Sequence, residues 1–142
     1  MRRIGAGLLA ALMLAVPTVT ARAAGSQKTP VASEAWVVAT APGATTTSAF
    51  AAIENPTAYT VYLRSASTPA AERVEFHDGR RNDELVKDVQ IESYDSLAME
   101  AKGVYMRLVG LKTAIKEGET VTLEIVTEAG LIIPVSATVR AK

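Results

Sequence analysis

The sequence predicts an all-β protein, an antiparallel β-sandwich folded as a single domain. Two observations carry this prediction. From Ala32 onward, apolar and polar residues alternate with a period of two, which is the pattern of strands that bury one face. Turn-forming residues recur between these runs, and no long helical pattern separates them. Several short strands at such spacing are typical of sandwiches and barrels.

The clearest predicted strand covers residues 121–128, where Val121, Leu123 and Ile125 share one face and polar residues the other. A turn at 129–130 leads to a partner strand over 131–140. The charged segment 80–95 fits a solvated loop or a short helical turn, in which three apolar residues are spaced to reach the core: Val86, Val89 and Ile91. The other predicted strands cover residues 35–40, 48–54, 59–66, 73–77, 97–100 and 104–109.

The first 23 residues are predicted to be a cleaved export signal. Arg2 and Arg3 precede an apolar stretch over 4–19, and residues 21–23, Ala-Arg-Ala, have the small-x-small pattern of a cleavage site. A membrane anchor is the alternative, but the apolar run is short and Pro17 interrupts it. No cysteine follows the run, so we expect no lipoprotein anchor. Residues 24–31 are then a flexible lead-in, and residues 32–142 form the domain, periplasmic or secreted.

Charge and composition exclude several kinds of partner. Cleavage after residue 23 leaves 12 basic and 15 acidic residues, a formal net charge of −3. No basic stripe is left, so we expect no nucleic-acid partner, and we expect no stable membrane span in the mature chain. The mature chain of about 119 residues suffices for one self-standing domain. Because the sequence has no cysteine, neither disulfides nor thiolate ligands contribute to it.

No catalytic motif supports an enzyme. Neither G-x-S-x-G nor a glycine-rich phosphate loop occurs in the mature sequence, and His77 is the only histidine. Metal binding is the better question, because imidazole and thioether ligands suit Cu(I). The mature chain keeps Met99 and Met106, which lie among apolar residues of predicted strands and are interpreted as core residues.

The alternation in VEFHDG, residues 74–79, directs Val74 and Phe76 inward and Glu75 and His77 outward. This pattern predicts that His77 lies at the solvent end of a strand, where a surface ligand would be needed. Spacing alone does not decide between a metal ligand and an ordinary polar surface residue.

The order of segments resembles the periplasmic copper chaperones of the PCu(A)C type, over nearly all of the mature chain. The segments that carry the resemblance are AW at 35–36, APG at 41–43, FAAIENP at 50–56, LRSASTPAA at 63–71, VEFH at 74–77, GVYMRLVGLK at 103–112 and IKEGETV at 115–121. The resemblance implies a cupredoxin-like β-sandwich with one surface Cu(I) site. That site is built from a His, a Met after ten intervening residues, and a later His-x-Met pair.

The four implied ligand positions are mostly altered in this sequence. The first His is His77, but the Met position falls on Asp88, and the His-x-Met pair falls on Tyr105 and Arg107. Met106 does not replace the lost Met, because alternation turns it to the core face. A guanidinium that stays charged repels a cation, so we predict that Arg107 pairs with Asp88 or Glu75 where copper would lie.

Three functions follow from these residues. The first is an exported, non-enzymatic binding or accessory module of the copper chaperone family, with most of the usual Cu(I) site lost and with periplasmic metal-handling proteins as partners. In the second, the chain still binds copper through His77 together with the mature amino terminus, Asp78 or Asp88, harder donors that favour Cu(II). The third is a structural or adhesive β-sandwich unrelated to metal.

Overall fold

The structure, a computed structural model, describes residues 28–142. The predicted signal peptide and residues 24–27, half of the 24–31 lead-in, lie outside the described residues, so both stay predictions. No helix within residues 28–142 is long and apolar enough to cross a membrane.

Ten strands build this part of the chain, and each predicted strand is present with shifted ends. One 3-10 helix, Gly79–Arg81, follows the fourth strand. The strands are β1 (Val31–Val38), β2 (Thr46–Glu54), β3 (Val61–Ser67), β4 (Ala71–Asp78), β5 (Glu84–Val86), β6 (Val89–Ile91), β7 (Ser96–Ala98), β8 (Val104–Leu111), β9 (Thr120–Thr127) and β10 (Ile132–Arg140).

The strands form one continuous, barrel-like sheet, which confirms the all-β, single-domain prediction. Seven strands follow one another in the order β4-β8-β2-β1-β10-β9-β3, and a pairing of β3 with β4 closes the ring. Pairing is antiparallel except between β1 and β10, which run parallel. The expectation of a purely antiparallel architecture is wrong at that one pair, and the cupredoxin-like sandwich remains a prediction.

The inner faces of the strands supply the core. Along β9 and β10 every second residue is buried, as the alternation predicted. Met106 and Leu108 are fully buried on β8, and Met99 is also buried. Both methionines are therefore core residues, as the sequence predicted.

The segment 80–95 is more ordered than a solvated loop. It contains the short strands β5 and β6, and β5 pairs with β4 while β6 pairs with β3. Val89 and Ile91 are buried and Val86 is half-buried, so all three expected contacts with the core form. The two strands escaped the sequence analysis because each has only three residues and both lie in a strongly charged segment, which is typical of a solvated loop.

Candidate functional site

Asp88 lies between β5 and β6, but the other three implied ligand positions lie on the outer faces of β4 and β8. These strands pair antiparallel, with Glu75 opposite Arg107 and His77 opposite Tyr105. Directly opposite residues point to the same side of a sheet, so these four side chains share one surface. The family resemblance implied this shared face.

His77 is buried on that surface, with 7% of the residue exposed. Its expected exposure is wrong because β5 pairs with the end of β4 and places Leu85 opposite His77. The chain between the two strands brings the carbonyl oxygen of Asp83 to 2.7 Å from Nδ1. On the other side of the ring, Nε2 lies 2.8 Å from Oε2 of Glu75.

Each ring nitrogen of His77 has an oxygen atom at hydrogen-bond distance. A carbonyl oxygen only accepts, so Nδ1 must carry a hydrogen. Hydrogen bonds from Arg73 and His77 lower the pKa of Glu75, so its carboxylate is ionised and also only accepts. With an oxygen atom beside each ring nitrogen, neither nitrogen is open to a metal ion.

Asp83 contacts both His77 and Tyr105 and lies in a strained turn. Asn82 and Asp83 both adopt left-handed backbone conformations, with φ of 54° and 58°. Such conformations cost free energy in residues other than glycine and persist where surrounding contacts hold them. Besides its carbonyl bond to His77, Asp83 accepts a 2.7 Å hydrogen bond at Oδ1 from the hydroxyl of Tyr105.

The predicted ion pair of Arg107 with Asp88 or Glu75 does not form. Arg107 instead donates a 2.9 Å hydrogen bond to the Tyr105 hydroxyl, and its guanidinium lies 5.8 Å from the centre of the Tyr105 ring. Glu75 is engaged by Arg73 at 2.8 Å as well as by His77. Asp88 points elsewhere and pairs with Arg64 at 3.6 Å.

Tyr105 occupies the centre of this surface. Its ring lies 6.0 Å from that of His77 and 6.1 Å from that of Phe50, and Phe50 in turn stacks on Trp36 at 4.6 Å. Burial raises the pKa of Tyr105, and the bond to Asp83 adds to this, so the phenol stays protonated and can donate. A row of rings therefore fills the outer face from β4 to β1.

Asp78, suggested as a harder copper ligand, is also engaged. Its carboxylate caps the 3-10 helix by accepting from the backbone N–H of Arg80, and it forms two 3.0 Å contacts with the Arg80 side chain. These bonds lower the pKa of Asp78. The helix fits there because Gly79 has no side chain: a Cβ would lie 2.3 Å from the carbonyl oxygen of Ala101.

We call the connected side chains Glu75, His77, Asp83, Tyr105 and Arg107 the His77 network. Within residues 28–142, no group of three or more His, Cys, Asp or Glu side chains is arranged to hold a metal ion. The residue that sequence reasoning missed is Asp83. The polar pair Asn82-Asp83 gave a weak signal, since these residue types tolerate left-handed turns.

Comparison with known proteins relates this chain to one family model and to several solved structures. The LpqE-like lipoprotein family model matches residues 31–139. No match was found among curated protein sequences. The copper-bound PCuAC domain from PmoF2 has a similar structure, with a TM-score of 0.69 and 17% sequence identity over 78% of this chain and 92% of that chain.

Two more solved structures share the fold. The apo PCuAC domain from PmoF1 has a TM-score of 0.71 and 19% identity, again over 78% of this chain and 92% of that chain. Cu(I)-bound DR1885 from Deinococcus radiodurans has a TM-score of 0.68 and 29% identity over 86% of each chain. The likeness to PCuAC domains that the sequence suggested is thus supported at the level of the fold.

Proposed function

Because the chain belongs to the LpqE-like family, we propose that it is an exported, non-enzymatic module with the copper chaperone fold, in which the His77 network replaces the Cu(I) site. Its solved structural neighbours include the copper-bound PCuAC domain from PmoF2 and Cu(I)-bound DR1885, which supports a role beside copper-handling proteins. We propose that its partners are proteins of that pathway, met outside the cytoplasm.

One observation carries this proposal: both ring nitrogens of His77 are engaged by acceptors, and the residue is 7% exposed. Cu(I) prefers soft ligands with an open approach. Here both nitrogens of the one retained imidazole, that of His77, already have oxygen partners. The neighbouring ligand positions that the resemblance implies carry the phenol of Tyr105 and the guanidinium of Arg107. These residues do not fit a Cu(I) ion.

Copper binding through non-standard ligands is the alternative with one favourable observation. The Glu75 carboxylate lies next to Nε2 of His77, so a metal that displaced the hydrogen between them would meet two donors. Such an imidazole and carboxylate pair favours Cu(II) over Cu(I).

Titration of residues 24–142 with Cu(I), against a competing Cu(I) chelator, tests the proposal. We expect the chelator to keep the metal, and His77→Ala to give the same curve, because the wild-type protein has little affinity to lose. A parallel Cu(II) titration tests the alternative. One-to-one Cu(I) binding that His77→Ala abolishes, in a variant whose circular dichroism is unchanged, would disprove the loss of the site.

A further inference from the structure

Large apolar side chains are exposed mainly at one end of the barrel. Within residues 28–142 six such residues are exposed, and Leu85 is the one that lies beside the His77 network. The other five, with their exposed fractions, are Val31 57%, Tyr59 79%, Tyr94 72%, Leu131 44% and Ile132 59%. Together with Pro30 we call them the Tyr59 surface.

A shallow cavity of about 400 Å³ lies in the Tyr59 surface. Its lining is mostly apolar and aromatic, with Pro30, Tyr59, Tyr62 and Leu131 among the contributing residues. Cavities of this size and lining bind side chains or small ligands. Clustered exposed apolar residues with aromatic side chains also mark protein interaction sites.

The loop that presents Tyr59 is fixed in place. Asn55 is fully buried, and its Nδ2 donates to the carbonyl oxygens of Tyr59 at 2.7 Å and Glu92 at 3.0 Å. The backbone N–H of Tyr94 donates to the carbonyl of Thr57. Because these bonds order both loops in the free protein, a partner would bind a largely preformed surface.

Acidic side chains surround the apolar centre. Glu54 lies opposite Val31, Asp95 follows Tyr94, and Glu92 accepts a bond from Thr60 in the cavity lining. None of these three acids forms an ion pair within residues 28–142. Arg64 forms ion pairs with both Asp88 and Glu128, so one of these two negative charges is not compensated. A basic residue, Lys28, lies two residues before Pro30 in the sequence.

We propose that the Tyr59 surface is a docking site for another protein that presents an apolar side chain flanked by Lys or Arg. The apolar side chain enters the cavity, and the flanking cations face the acidic rim. Charge complementarity of this kind sets the choice of partner and the rate of association. A second copy of this chain does not fit, because two acidic rims would face each other, and an anionic lipid surface is repelled in the same way.

A matched pair of soluble peptides tests the site. One has a central leucine and tryptophan with two lysines on each side, and the other has glutamates in place of the lysines. We expect the lysine peptide to bind at least about tenfold more tightly, because several weak surface charge interactions act together. Fluorescence anisotropy of a fluorescein label on each peptide gives both dissociation constants, without interference from Trp36 of the protein.

Variants locate the binding on the protein. Tyr59→Ser with Leu131→Ser is expected to weaken the lysine peptide about tenfold, whereas Leu85→Ser, an exposed leucine elsewhere, leaves it unchanged. Equal binding of the two peptides, or equal effects of both variants, would overturn the proposal. So would concentration-dependent dimerisation in sedimentation, or binding to anionic vesicles in preference to the lysine peptide. None of these outcomes depends on copper, so failure here leaves the proposed loss of the Cu(I) site standing.

Discussion

A triple variant, Asp88→Met with Tyr105→His and Arg107→Met, is expected to bind Cu(I) at least about a hundredfold more tightly than the wild-type protein. It restores the two imidazoles and two thioethers that the family resemblance implies, and these soft ligands suit Cu(I). It also removes the guanidinium of Arg107. With partial screening, a guanidinium about 4 Å from a cation repels it by about 4 kcal/mol. Loss of Tyr105 removes the hydrogen bond from its hydroxyl to Asp83, so the turn that covers His77 can open.

The control for the triple variant keeps Tyr105 and combines only Asp88→Met with Arg107→Met. It has both thioethers, but the hydrogen bond from Tyr105 to Asp83 still closes the turn over His77, so we expect much less gain. Competition with a Cu(I) chelator measures all three proteins. A folded triple variant with wild-type affinity would show that substitution of these residues is not what separates this chain from copper-binding relatives.

Asn55→Ala is expected to lower the free energy of unfolding by about 3 kcal/mol or more. The side chain is fully buried and bonds to four residues: it donates to the carbonyls of Tyr59, Ile91 and Glu92, and accepts from the N–H and hydroxyl of Thr57. Alanine leaves several of these groups without a partner, and a buried unsatisfied polar group costs about 1–3 kcal/mol. Urea unfolding followed by circular dichroism measures the loss.

Thr57→Val is the matched control for Asn55→Ala. It removes one hydroxyl that donates to Asn55 Oδ1 at 2.7 Å, while the backbone bond from Thr57 remains. We expect a loss of about 1 kcal/mol. Equal losses in the two variants would mean that Asn55 does not connect the two loops. Because these loops carry Tyr59 and Tyr94, Asn55→Ala should also weaken the lysine peptide.

The strands were largely predictable because most of them bury one face over seven or more residues. Alternation in 121–128 and 131–140 located β9 and β10 within one or two residues, and it placed Met106 in the core. The family resemblance, rather than alternation, implied that His77 and Tyr105 lie in one site, and the two residues are opposite each other in the register. The parallel pairing of β1 with β10 was not predictable, since alternation says nothing about strand direction.

The state of His77 depends on contacts that alternation does not encode. Its burial follows from two consecutive left-handed residues, Asn82 and Asp83, which carry the chain back into β5. Arg107 took a different partner from the one expected because the Tyr105 hydroxyl lies two residues away on the same face. Alternation also gives no sign that Asn55 organises the loops that present Tyr59 and Tyr94.

The state of the His77 ring tests the central claim most directly. A nitrogen-15 spectrum of the imidazole, recorded at mildly acidic pH before and after one equivalent of Cu(I), reports whether each ring nitrogen carries a hydrogen. We expect an N–H signal from Nδ1, toward Asp83, and no change at either ring nitrogen when the metal is added. An Nδ1 without hydrogen, or a change at either ring nitrogen on addition of Cu(I), would contradict a closed network at this site.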